Sequence, residues 1–344
     1  MQVRLIDPAD EDGLAAFAAV LEASDKEMWP DVSGYQLIDI RAFARFRGRS
    51  RRWELLAAYE GAGSGPVLGV ALMEFPMLEN PHSTEITLAV HPEQRRRGAG
   101  RALVEKMAER AVADGRRALN TIVDVPLSRV HDEGVPGFAA AVGFESTLTG
   151  NLRHLRLPLD GDRLAGLRQV VAGARDAGDY RTHTFATPWP PEFLDDACTL
   201  LGVMSTDEPA GDGERQAEQW DEERLREGEE LLAARGTQRL AAVAEHVPSG
   251  RLVAVTELLV ADDAPHQAWQ MITVVHPDHR GHRLGLAVKL ANLDLLAERA
   301  PKVDFVQTGN ASVNAPMIGV NEMMGFEVVS EGAFWQKHLT APGA

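Results

Sequence analysis

Two kinds of hydrophobic pattern alternate along the 344-residue chain, and the order in which they alternate is run through twice. Residues 2–6 (QVRLI) alternate polar and apolar positions like an edge strand, and residues 14–23 then carry apolar positions at helical spacing. Residues 55–59 and 67–75 predict a hairpin across the glycine-rich turn 61–66, with a further strand at 84–90 (TEITLAV). Residues 101–113 place Leu103, Val104, Met107, Ala108 and Ala111 on one helical face. A strand at 117–123, a loop at 124–137, a short helix ending at Gly143 and Phe144 and a strand at 152–157 complete the first pass. After a turn at 158–162 and a helix at 164–177, the order restarts with a strand at 180–185, a helix at 193–201, a loop at 206–213 and a charged helix at 214–234. Hairpin strands at 238–245 and 252–260, a strand at 271–275, an amphipathic helix, a strand at 303–308 and a last strand at 334–339 follow, before a loose tail. The pattern predicts two domains, residues 1–160 and 178–344, joined by a linking helix within 161–177.

The joint between the strand at 84–90 and the helix after it carries the densest chemistry. Residues 90–103 read VHPEQRRRGAGRAL. Gly98 and Gly100 lack a Cβ, so the backbone there can take unusual dihedrals and a ligand can approach its amides closely. The free amides of the following helix, with the positive end of its dipole, favour an anion, and Arg95, Arg96, Arg97 and Arg101 add full charges around it. A phosphate is the best-matched anion, although a single joint of this kind is equally a solvated turn. A second copy changes that balance: residues 275–288 read VHPDHRGHRLGLAV, 185 positions further on. Val90, His91, Pro92, Arg95, Gly100 and Ala102 match Val275, His276, Pro277, Arg280, Gly285 and Ala287.

The strand, the Val-x-Pro-x-x-Arg approach and Arg95-x-x-Gly98-x-Gly100 resemble the acyl-coenzyme A motif of the GNAT (GCN5-related) N-acetyltransferases. Residues 138–145 (FAAAVGFE) and 320–327 (VNEMMGFE) resemble the helix, Gly-Phe and strand that close the core of that family, so the resemblance covers both halves. It implies an α/β (α+β) architecture of two GNAT domains in tandem, each a mixed, mostly antiparallel sheet flanked by helices. Residues 28–52, with Trp29, Tyr35, Phe43 and Phe46, would form helices and a loop over the acceptor site.

By the same resemblance, backbone groups of Leu88, Ala89 and Val90 hold the pantetheine arm and acyl carbonyl of acetyl-CoA. Amides of Arg95, Arg96, Arg97, Gly98, Ala99, Gly100 and Arg101 hold the pyrophosphate. The matching residues of the second domain are Thr273, Val274, Val275, Arg280, Gly281, His282, Arg283, Leu284, Gly285 and Leu286. Arg283 stands where Gly98 does, and its side chain is expected either to impair the cradle or to reach a phosphate directly. The family's usual general acid is a tyrosine four residues before the Gly of Gly-Phe; Ala139 and Asn321 occupy that position here. Glu85 is the candidate general base of the first domain, against a plain solvated strand residue, and at a constant offset of 185 its counterpart is Gln270, which cannot accept a proton. His91 and His276 are read as structural. Asn310, Asn314 and Asn321 are read either as amides for a cofactor arm or acceptor, or as caps for the helix near Pro316.

Composition narrows the partners. The formal net charge of −16 opposes a polyanion, so nucleic acid is excluded as an expected partner. Acidic surface suits a cationic amine, although much of the charge lies within residues 207–230 and reads equally as a solvated helix face. No run is apolar and long enough to span a bilayer, the N-terminus lacks a signal-peptide pattern, and Cys198 is the only cysteine, which together predict a cytoplasmic chain. His279 and His282 lack companions at metal-site spacing, so no metal is expected. The expected activity is acetyl-CoA-dependent N-acetylation of a small-molecule amine, the first domain catalysing and the second supporting it, by a monomer (an internal pseudo-dimer) or a homodimer. A non-catalytic acyl-CoA sensor or partner-binding protein, and a mycothiol synthase-like acetyltransferase, are the alternatives.

Overall fold

The computed structural model describes residues 1–61, 65–132, 134–207 and 216–340. Of the predicted features, parts of the turn 61–66 and of the loops at 124–137 and 206–213, the first two residues of the helix at 214–234 and the end of the tail lie outside the described residues. In chain order the elements are β1 (Gln2–Leu5), α1 (Glu11–Met28), α2 (Leu37–Arg45), β2 (Arg51–Tyr59), β3 (Val67–Pro76), β4 (Ser83–Val90), α3 (Ala99–Ala113), β5 (Ala118–Pro126), α4 (Gly134–Ala141) and β6 (Glu145–Arg156). They continue with α5 (Gly161–Ala172), β7 (Tyr180–Ala186), α6 (Leu194–Asp207), α7 (Glu222–Ala234), β8 (Thr237–His246), β9 (Arg251–Ala261), β10 (Gln267–Val275), α8 (Leu284–Arg299), β11 (Phe305–Ala311), α9 (Ala315–Met324), β12 (Glu327–Val328) and β13 (Ser330–His338).

The chain divides into two compact units, and the divisions expected near residues 160 and 178 do not coincide with them. The first unit takes in Met1–Thr149 and the C-terminal segment from Ser330; the second runs from Gly150 to Val329 among the described residues, β12 included. β13 pairs antiparallel with β5 along its whole length, from Ser330↔Pro126 to His338↔Ala118. β6, from Gly150 on, pairs antiparallel with β11. The last strand of each sequence repeat thus completes the other unit's sheet, an exchange that hydrophobic alternation cannot reveal because it reports a strand's faces and not its neighbour.

In the first unit the strand order is β1-β2-β3-β4-β5-β13, antiparallel except for β4 against β5. α3 buries Leu103, Val104, Met107 and Ala111 against Leu56, Met73, Phe75, Ile86 and Leu119, and each fully buried aliphatic side chain there contributes roughly 1.5–3 kcal/mol. α1 begins at an Asp10 cap, whose Oδ1 accepts the Gly13 amide at 2.9 Å, with Glu11 and Asp12 complementing the dipole in the first turn. The second unit repeats the plan with order β6-β11-β10-β9-β8-β7, again with one parallel pair, β10 against β11. α8 packs Leu286, Leu290, Leu295 and Leu296 onto Leu258, Ala268 and Val306. The charged helix is shorter than its composition suggests: Asp221 accepts the Arg224 amide at 2.9 Å and starts α7 at Glu222, which leaves Trp220 outside the helix.

Candidate functional site

Each unit contains one place where two parallel strands pair briefly and then part. In the first, β4 and β5 pair over Ser83↔Ala118, Thr84↔Leu119 and Glu85↔Asn120. Beyond Glu85, β4 stays paired with β3 as far as Val90 but its other edge has left β5, and the Thr121 hydroxyl donates across to the Ile86 carbonyl at 3.0 Å. Leu88, Ala89 and Val90 therefore present a free backbone edge, able to pair with an extended ligand as a strand would. In the second, β10 and β11 part after Trp269↔Gln307.

At the open end of the first splay stands the Arg/Gly loop. Arg96 and Gly98 both have left-handed backbone, with φ of 64° and 89°, and Gly98 is the N-cap of α3 with no side chain capping the helix. The first-turn amides of Ala99, Gly100 and Arg101 point out of the helix without an intrahelical acceptor. A Cβ on Gly98 would meet nothing within 4 Å, so the space above these amides is open. Gly100 has a different reason to be glycine: a Cβ there would stand 2.8 Å from the Phe138 ring of α4.

The arginines divide into two groups. Arg95 is tied to Glu27 of α1 at 2.6 Å and to the Val90 carbonyl at 3.4 Å, and Arg97 to Glu60 and Gln94. Arg280 repeats the first of these ties, to the Val275 carbonyl at 3.3 Å and to Asp207 at the end of α6. Arg95 and Arg280 therefore brace their loops against α1 and α6 respectively. Arg96 and Arg101 are exposed, and no ion pair of theirs occurs among the described residues, which leaves them as the cations available to an anion. In the second unit the left-handed pair is Gly281 at φ 85° and Arg283 at φ 60°, the latter the N-cap of α8. The expected impairment by Arg283 does not take the form of a rebuilt loop: the turn is kept, with glycine and arginine exchanged between its two left-handed positions.

The strand β10 changes one assignment. Its pairing with β9 shifts register between Gln270 and Thr273, an inserted residue absent from β4. At the point of parting, Glu85 is matched by Trp269, and buried Gln270 takes the inward place of Ile86. The constant offset that paired Glu85 with Gln270 fails because the extra residue lies between this point and the loop. Gln270 is committed to the bulge: its Nε2 donates to Thr256 Oγ1 at 2.9 Å, Glu257 O at 2.7 Å and Ile272 O at 2.9 Å.

Glu85 is exposed at the apex of the first splay and accepts a hydrogen bond from Asn120 Nδ2 at 2.8 Å; Asn120 Oδ1 in turn accepts from Gln336 Nε2 at 3.0 Å. Gln336 comes from β13, and nothing in the linear order of the sequence connects it with Glu85. Two further carboxyls of this unit are perturbed. Burial pushes Asp25 of α1 up to about 6, and burial raises Asp124 of β5 against the lowering effect of the Ser330 hydroxyl at 3.0 Å. In the second unit Asn314 caps α9, accepting the Met317 amide at 3.3 Å, while Asn321 Nδ2 donates to Asn310 Oδ1 at 2.7 Å. Burial raises the Cys198 thiol above its ordinary range, which suits a structural role and not a nucleophile. No grouping able to hold a metal ion occurs among the described residues, and no helix among them is long and apolar enough to cross a membrane.

Residues 15–131 match the model of the acetyltransferase (GNAT) family. Among solved structures, a tandem GNAT protein from the clavulanic acid biosynthesis pathway, without AcCoA, is 28% identical and superposes with a TM-score of 0.80 over 98% of both chains. A GCN5-related N-acetyltransferase from Sphaerobacter thermophilus shares the fold at 15% identity, with a TM-score of 0.59 over 98% of this chain and 95% of that one. None of the curated proteins matches this chain significantly. Residues 15–131 are thus matched to the GNAT acetyltransferase family, and over its full length the chain is similar to a tandem GNAT protein.

Proposed function

We propose that the first repeat transfers the acetyl group of acetyl-CoA directly to an amine of a small molecule. The observation that carries this reading is the free edge of β4 from Leu88 to Val90, lying between the uncapped start of α3 and the exposed carboxylate of Glu85. A pantetheine arm laid along that edge, with its pyrophosphate on the Ala99–Arg101 amides and the Arg96 and Arg101 charges, would bring the thioester toward Glu85. Glu85, held by Asn120, takes a proton from the incoming ammonium or amine through water. The free amine attacks the thioester carbonyl, the new C–N bond forms as the C–S bond breaks, the nitrogen gives up its extra proton to solvent, and the leaving thiolate takes one from solvent, since Ala139 offers no acid. The negative formal charge of the chain favours approach of a cationic acceptor.

A second reading, a non-catalytic acyl-CoA binder, is favoured by Ala139 and Asn321, which stand in the two repeats where the family's usual tyrosine acid would be. Release of CoA thiol from acetyl-CoA across a panel of small amines, using the full chain, separates the two. Sustained turnover on any amine supports transfer, and tight acetyl-CoA binding with no turnover on the panel would favour the binder. The full chain is required because a chain cut near residue 160 would lose β13, and with it Gln336, from the first sheet.

A further inference from the structure

The last turn of α1 lies across the first splay. Glu27 holds Arg95, which follows β4, at 2.6 Å, and Arg129, which follows β5, donates to the Glu27 carbonyl at 2.9 Å. The two strands that part are thus tied beyond their ends to one helical turn. α1 packs on β3 and β4 but takes no part in the core beneath α3, so it covers the opposite face of the sheet. Ile86 points to α3, and by strand alternation Glu85 points to the face that α1 covers.

Asp25 faces the sheet from that turn. It continues, at helical spacing, the buried stripe of Leu14, Ala18 and Leu21. Glycine at 34 lets the chain after α1 lie directly on the carboxylate, where a Cβ would collide with Oδ2, and burial pushes the Asp25 pKa up to about 6. No ion pair or side-chain hydrogen bond of Asp25 occurs among the described residues, yet its oxygens are not sealed from solvent. A half-buried carboxylate in this state lacks the cation that would offset its lost hydration. In the second repeat Ser205 stands at the matching place, two residues before the acid that holds Arg280. Its hydroxyl is engaged on both sides, donating to the Gly202 carbonyl at 2.7 Å and accepting the Glu218 amide at 2.9 Å. The unpaired carboxylate belongs to the repeat that carries Glu85.

The missing cation is not the reacting nitrogen. That nitrogen must be uncharged when it attacks, and a carboxylate that held it as ammonium would oppose the reaction. Nor does Asp25 serve the leaving thiolate: it shares a face with Glu85, whereas Ala139, at the place of the family's acid, packs in the core beneath α3.

We propose that Asp25 is a specificity-determining residue of the first repeat and that the acceptor is a diamine, one nitrogen reacting at Glu85 while the other stays charged on Asp25. This rests on the reading of that repeat as an acetyltransferase and adds the class of its acceptor. The uncharged nitrogen takes the acetyl group and gives up a proton, CoA leaves as the thiol, and the bound ammonium neither gains nor loses a proton.

Calorimetric titration of amines into the full chain saturated with CoA tests it, since the free thiol has no acetyl group to transfer. Among the α,ω-diamines from propane to octane, the best should bind about tenfold or more tighter than the monoamine of the same length, the effect of one hydrogen bond to a charged group. In Asp25→Asn the two should bind alike, and Asp25→Ala gives the same comparison should the asparagine variant not fold. No diamine bound more tightly than its monoamine, an advantage that persists in the variants, or no binding of any amine would each overturn the inference. Turnover with acetyl-CoA separates it from the reading on which it rests. Transfer to monoamines and diamines with equal KM would leave the proposed function standing and remove Asp25 from acceptor selection. A diamine advantage in binding that depends on Asp25, with no transfer to any amine, would overturn the proposed function and leave Asp25 as a cation-binding residue.

Discussion

Gly98 and Arg283 occupy the same N-cap position of the two motif helices, and both hold it with left-handed backbone, at φ 89° and 60°. The two loops therefore differ in what projects over the helix start and not in the path of the chain. Gly98→Arg should fold, since an arginine already holds this position in the other repeat, at a cost of about 1–2 kcal/mol for the left-handed backbone. A side chain there enters the open space above the Ala99–Arg101 amides. One acetyl-CoA affinity of the full chain should fall roughly tenfold or more, equivalent to about 1.4 kcal/mol or above. A folded variant with every affinity unchanged would show that this loop is not the phosphate cradle.

Gly100 gives a contrasting expectation. Its missing Cβ leaves room for the Phe138 ring, which a Cβ would approach to 2.8 Å. Gly100→Ala should therefore lower stability by about 1–3 kcal/mol through overpacking. Phe138→Leu in the same chain should recover part of the loss, whereas independent, additive losses in a thermal or denaturant series would show that the two residues do not share this space.

Most strands and helices were legible because the two periodicities are strong where one face is buried, as in β4 and α3. The phosphate loop was legible because its residues act locally: glycine at a left-handed turn and free amides at a helix start are properties of adjacent positions. What the sequence concealed was long-range or one residue in size. β13 alternates no differently for pairing with β5 of the other repeat, so Gln336 could not be brought to Asn120 and Glu85. The inserted residue in β10 preserves the motif spacing at the loop and shifts everything before it, and so hid Trp269 behind Gln270. Arg95 and Arg97 looked like phosphate ligands by composition, and the acids that engage them, Glu27 and Glu60, are far away in sequence.

The chain from Gln336 through Asn120 to Glu85 fixes where the carboxylate of the proposed base points. Glu85→Gln should lower kcat about 100-fold while acetyl-CoA affinity stays within a few-fold. Gln336→Leu breaks only the outer link, and should lower kcat several-fold with little change in KM for acetyl-CoA; Gln336→Lys, whose ammonium can still donate to Asn120 Oδ1, should recover part of that loss. Equal effects of Gln336→Leu on kcat and on melting temperature, without recovery by lysine, would reduce Gln336 to a structural role.

Lys289 of α8 makes the clearest prediction about pH. It is 2% exposed, its Nζ lies 5.3 Å from the centre of the Phe326 ring, and burial pushes its pKa down from 10.5 to about 7. In the unfolded chain the amine regains its ordinary value, so between about pH 7 and 10.5 the unfolded state binds more protons than the folded one. Stability must then rise with pH across that window. Below it the ammonium is charged in both states, and the full cost of burying a charge opposes folding. Lys289→Met keeps the length of the side chain and removes the charge. It should raise stability at pH 6 to 7 by about 2–4 kcal/mol, of the order of the cost of an unpaired buried ion, with the gain fading toward pH 10. Denaturant titrations of the two proteins at pH 6, 8 and 10 measure the difference directly; a difference that is constant over this range would mean that the folded protein holds Lys289 charged and solvated, and the burial of its amine would be disproved.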